Sequence, residues 1–116
     1  MPASSPLARL TDILEAIELI VSELRGVELR ALESDRRKRW LIERGIEIIS
    51  EASRRLPDTL KARHPELPCR KVAGIGNILR HDYEIIAYDV LWRVVHDELP
   101  ILEKLCREEL ARESEL

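Results

Sequence analysis

Leu7, Leu10, Ile13, Leu14, Ile17, Ile20, Val21 and Leu24 recur at helical spacing, while Arg9, Asp12, Glu15, Glu18 and Arg25 fill the other faces. The pattern predicts a helix from Pro6, capped by Ser5, with Gly26 at its C-terminal end. Val27 to Glu33 reads as one or two amphipathic turns. Ser34 is then expected to cap a long helix to about Leu56, with Leu41, Ile42, Ile46, Ile48, Ile49, Ala52 and Leu56 as its apolar set and Trp40 near its start. Gly45 in the middle of that helix costs about 1 kcal/mol of propensity and predicts the close approach of another helix. Pro57, Pro65 and Pro68 break the pattern, leaving room for a single turn near Thr59 to Arg63. Arg70 to Arg80 is again helical. In the last helix Val90, Leu91, Val94 and Val95 form the stripe, Pro100 imposes a kink, and Leu102, Leu105 and Leu110 continue beyond it. No strand alternation or repeat competes with this reading. The expectation is all-α: an up-and-down antiparallel bundle of four to five helices in one domain spanning residues 1–116.

The chain is organised around Gly74 to Tyr83. At about 100° per residue, Val72, Ile75 and Leu79 cluster on one side of that helix. Arg70, Gly74, Asn77 and His81 line up on the opposite side. Arg80 adjoins His81, and Tyr83 follows two residues later.

Composition narrows the function. The chain holds no Phe, two Trp and two Tyr, so its core is aliphatic. The net charge of −3 gives no global attraction to nucleic acid, and any RNA contact needs a local basic patch. Cys69 and Cys106 show no zinc or redox spacing and read as buried or idle thiols rather than a bridge. No apolar run is long enough for a membrane span, and no basic segment leads into an apolar one at the N-terminus; a cytoplasmic protein without membrane contact is expected.

Two readings of His81 stand side by side. One is a surface histidine at a helix end, where a partial positive charge suits the dipole. The other is a general acid/base, with a neighbouring Arg for phosphate and a Tyr hydroxyl close by, a set suited to phosphodiester cleavage without a metal. His64 and His96 read as isolated surface residues. The run Asp35-Arg36-Arg37-Lys38-Arg39 reads as a solvated helix start. No phosphate loop, dinucleotide fingerprint or nucleophile elbow is present.

Arg9 to Ile17, Ile48 to Ala52, Leu67 to Ile75, Asn77-Ile78-Leu79-Arg80-His81-Asp82-Tyr83, Val90-Leu91-Trp92 and Glu98-Leu99-Pro100, taken in order, resemble the HepT-like family of the HEPN superfamily. The resemblance covers nearly the whole chain. It implies a metal-independent ribonuclease toxin that needs no cofactor. It also implies a homodimer whose paired motifs meet in a cleft. The implied partner is a nucleotidyltransferase antitoxin that transfers AMP to a tyrosine. Asn77 and His81 match the catalytic motif and Tyr83 matches the AMP acceptor. The family Arg does not match: Gly76 stands there. Arg80 lies about one turn away and is expected on a different side of the helix, so Arg80 or Arg70 must supply the phosphate cation, or catalysis is weak or absent. Gly76→Arg is then expected to raise activity. The competing readings are a catalytically weak or inactive subunit that binds a nucleotidyltransferase or a nucleotide, and a plain helical dimerisation module.

Overall fold

The computed structural model describes residues 6–66, 69–82 and 86–114, with the side chains of Cys69, Arg80, His81, Asp82 and Ser114 outside that description. The expected Ser5 cap also lies outside the described residues. The fold is an all-α bundle, with no strand among the described residues. Helix α1 runs Pro6–Leu24, α2 Leu29–Glu33, α3 Arg36–Arg54, α4 Asp58–Arg63, α5 Cys69–Asp82, α6 Tyr88–Arg93 and α7 Leu99–Ser114, with a π turn at Val94–Glu98 joining the last two.

Helix α3 is central. It packs against α1 on one side and α5 on another, while α7 closes over α1 and α2 bridges α3 and α6. The expected core residues Leu10, Ile13, Ile17, Ile46, Ile49, Leu79 and Leu91 are all buried. Leu7 and Val21, counted within the apolar stripe of α1, are instead about two-fifths exposed on its flank. The close approach expected at Gly45 is with α1: a Cβ there would meet Ile20 Cδ1 at 2.6 Å. Gly26 has φ 74°, the left-handed conformation that ends α1 at no steric cost.

Three local expectations need correction. Asp35, not Ser34, caps α3: its carboxylate accepts from the Lys38 amide at 3.1 Å. Ser34 closes α2 instead, its hydroxyl donating to the Ala31 carbonyl. Helix α3 ends at Arg54 rather than near Leu56, and Pro57 then starts α4. The disturbance expected from Pro100 is displaced towards the N-terminus. The Leu99 amide donates to the Val94 carbonyl, an i to i+5 bond. Pro100 has no amide to donate and its ring crowds the preceding turn, so the helix widens there. Leu99, Leu102 and Leu105 stay buried.

His64 is not a free surface residue. Its side chain is 13 % exposed, and Nε2 lies 2.7 Å from Glu109 Oε1 on α7. Arg63 donates to both oxygens of the same carboxylate, from Nη2 at 3.2 and 3.0 Å. The Glu109 side chain is 2 % exposed, so these contacts fasten the α4 turn to α7. His96 is on the surface as expected, with its ring beside that of Trp92 and Nδ1 2.8 Å from the Trp92 carbonyl.

Ile49→Ala should cost about 2–5 kcal/mol in urea denaturation, the range for truncating a fully buried Ile. Burial works to raise the Glu109 carboxyl pKa, but the hydrogen bonds and charges of Arg63 and His64 outweigh it and hold it below the ordinary value of 4.5. On acidification the unfolded chain therefore takes up this proton first. The carboxylate stabilises fully above about pH 4.5 and loses that contribution as pH falls through its folded-state value. Glu109→Gln should accordingly flatten the decline in stability below that pH, followed by thermal melts across an acid series.

Candidate active site on helix α5

Helix α5 is held by its apolar side. Val72, Ile75 and Leu79 are buried at 0 %, 8 % and 4 % exposure, as their spacing requires. Gly76 is buried with them and faces α3, where a Cβ on it would land on the Cβ and Oγ of Ser50. The absence of a side chain lets the helices approach closely enough for polar ties. The Ser50 hydroxyl donates to the Ala73 carbonyl at 3.3 Å, and Arg54 Nη2 donates to the same oxygen at 3.2 Å. At the outer edge, Lys71 Nζ meets Glu98 Oε1 of the π turn at 2.6 Å.

Gly74 and Asn77 are exposed on the opposite side, and Ile78 is 38 % exposed. The backbone of residues 80 and 81 continues α5, so position 81 stands one turn beyond Asn77 on nearly the same line. Tyr83 lies outside the described residues, as do the side chains of Arg80 and His81. Because α5 is unbroken through Asp82, positions 76 and 80 differ by about 40° and about 6 Å. Position 80 is therefore one turn along nearly the same face as Gly76, not on a different side of the helix.

Beside this helix lies a groove of about 580 Å³, lined by Arg36, Trp40, Glu43, Arg44, Glu47 and Leu79. Trp40 is 64 % exposed, with Arg36 and Arg44 one turn before and after it on the same face. Arg44 is paired with Glu47 at 3.3 Å. Leu79 reaches the groove from the residue before Arg80, so the groove adjoins the motif end of α5.

The basic run at the start of α3 divides by function, which its sequence did not reveal. Lys38 pairs with Glu23 of α1 at 2.9 Å. Arg39 donates to the Ile86 carbonyl at 2.6 Å, stacks 4.3 Å from the centre of the Tyr88 ring and lies 3.4 Å from Glu43. It thus ties the segment after the motif to α3. The one sequence signal for this role was the i, i+4 spacing of Arg39 and Glu43.

The ribonuclease HepT-like family pattern matches residues 13–109. A protein of Thermococcus cleftensis named probable ribonuclease HepT is 37 % identical over 94 residues, covering 81 % of this chain and 86 % of its own. An RNase-named protein of Caldanaerobacter subterraneus subsp. tengcongensis is 29 % identical over 109 residues, with 94 % and 97 % covered. Another RNase-named protein, from Methanocaldococcus jannaschii, is 31 % identical over 97 residues, with 84 % and 89 % covered. No solved structure matches.

The expectation that Gly76→Arg restores function meets the packing at Ser50. The clash is with a Cβ fixed to the α3 backbone, whereas at Gly45 it is with the mobile end of Ile20. Gly76→Ala should therefore destabilise more than Gly45→Ala, by about 1–3 kcal/mol relative to the parent chain. Gly76→Arg should lower the melting temperature further rather than yield a more active protein. Urea denaturation and thermal melts of the three variants check the order.

Proposed function

Because the chain belongs to the ribonuclease HepT-like family, we propose that it is a metal-independent endoribonuclease, a single cytoplasmic HepT-like domain acting as a homodimer. The observation that carries this reading is an exposed Asn77 one turn before position 81 on α5, with a groove at the same end of the helix, on its Leu79 side, that holds Arg36, Arg44 and an exposed Trp40. Glu43 and Glu47 of this groove are paired with Arg39 and Arg44, which leaves the Arg36 guanidinium to meet a phosphate and the Trp40 indole face to stack a base of single-stranded RNA.

In this reading a neutral His81 imidazole takes the proton of a ribose 2′-hydroxyl, and the 2′-oxygen attacks the adjacent phosphorus. The bond from phosphorus to the 5′-oxygen breaks, and a protonated imidazole, such as His81 of the second copy, returns a proton to the leaving oxygen. The products are a 2′,3′-cyclic phosphate and a 5′-hydroxyl. Arg80 stabilises the charge on the phosphoryl oxygens in the transition state, and Asn77 donates to the same group. Ile78, exposed on α5 one residue after Asn77, offers apolar area for pairing two copies. The biological role that fits is the toxin of a toxin–antitoxin pair, silenced when a nucleotidyltransferase antitoxin transfers AMP to Tyr83.

His81→Ala should reduce cleavage of a single-stranded RNA in excess chelator by about 10²–10⁴-fold, with the circular dichroism spectrum and the dimer mass by light scattering unchanged. Tyr83→Phe should cut RNA normally but accept no AMP from the partner. A parent protein that is monomeric near 13.4 kDa and inert towards RNA would overturn the proposal. Gly76 in place of the family Arg favours the second reading, a weak or inactive subunit that binds a nucleotidyltransferase or a nucleotide. Inertness of the parent with retained partner binding would select it.

A further inference from the structure

A second pocket opens at the other end of α5. It has a volume of about 340 Å³ and is lined by Ser53 and Arg54 from α3, Lys61 from α4, and Arg70 and Ala73 from α5. Three cations from three helices converge on it, and no carboxylate is among these lining residues. Arg54 spends one donor on the Ala73 carbonyl and keeps the rest of its guanidinium fork. Lys61 and Arg70 make no ion pair among the described residues, whereas Arg55, Arg63 and Lys71, which stand close to the pocket's cations in sequence, each do. Like charges held together without an acid repel one another, and an anion between them relieves the cost.

Ser53 supplies an independent indication. It is 1 % exposed, and its buried hydroxyl has no hydrogen-bond partner. A serine in a helix commonly returns its hydroxyl to the carbonyl one turn back; this one does not. A buried donor without an acceptor is costly unless something else accepts from it. An oxyanion in the pocket, approached by a small rotation of this side chain, is such an acceptor.

The placement identifies the anion. Arg70 shares a line of α5 with Gly74, Asn77 and position 81, and lies about 16 Å along the axis from that position. A strand whose reacting phosphate sits at residue 81 and which follows the exposed side of α5 passes over this pocket. We propose that the Ser53–Arg54–Lys61–Arg70 pocket holds a backbone phosphodiester of the RNA away from the scissile bond. The pocket thereby sets a minimum substrate length, and the inference rests on the ribonuclease reading above.

The test is fluorescence anisotropy with labelled 2′-O-methyl RNA, which binds but cannot be cleaved through the 2′-oxygen. The two lengths are a dinucleotide and a strand of about ten nucleotides, within the usual range of single-strand sites. Arg70→Gln and Lys61→Gln, both on the surface side, should each weaken binding of the longer strand and leave the dinucleotide unaffected. Each should also reduce the slope of log Kd against log salt by about 0.7, the value for one lost single-strand phosphate contact. Ser53→Ala should weaken the longer strand with no fall in melting temperature. Unchanged slopes and affinities in folded variants overturn the proposal, and if the parent still cuts RNA the ribonuclease reading survives alone. Reduced slopes in the variants of a parent that cuts nothing uphold the phosphate site and overturn the ribonuclease reading. Inorganic phosphate that shifts the parent's melting temperature through these residues, with strand slopes unchanged, marks a free-anion site and overturns the RNA assignment.

Discussion

The approach of α5 to α3 at Gly76 and Ser50 is the contact on which the arrangement of the motif depends. Helix α5 has its main packing partner in α3, so its axial position and rotation are fixed largely there. A glycine opposite a serine brings the backbones close, and the Ser50 hydroxyl and the Arg54 guanidinium then both reach the Ala73 carbonyl. These ties set the rotation of α5, and with it the exposure of Asn77 and the line on which position 81 stands. The same central helix uses Gly45 to seat α1. Small residues on α3 thus serve two neighbours, and the propensity lost at Gly45 is offset by the packing it allows.

The parts of the fold that were legible in the sequence are those governed by local periodicity. The buried sides of α1, α3 and α5 follow from apolar spacing, because a helix under a hundred-degree repeat has no other way to cover those residues. What was not legible depends on contacts distant in sequence. Arg39 reaches Ile86, and His64 reaches Glu109; no window around either residue contains its partner. Asp35 and Ser34 are both good capping residues, and only the geometry of α2 assigns one to each helix. Trp40 reads as apolar by composition and proves largely exposed, since its side of α3 opens onto the groove rather than the core. The candidate site was legible as a line of residues on α5, but its surroundings were not.

The glycine at position 76, where the family resemblance leads one to expect an arginine, has a packing explanation. Position 76 lies on the buried edge of α5, against Ser50. An arginine there would push α5 away from α3, break the Ser50 to Ala73 bond and uncover Val72 and Ile75. Position 80, one turn further on, lies within about 40° of the same face, next to Leu79 at the groove end of α5 and away from its tightest contact. Under the proposed chemistry, the requirement is for positive charge near the phosphate, not for a particular residue number, and a guanidinium spans the intervening turn with its own length. On that proposal, close packing at residue 76 and charge at residue 80 are two parts of one solution: the glycine fixes the helix that carries position 81, and the arginine beside it would supply the charge that the glycine does not.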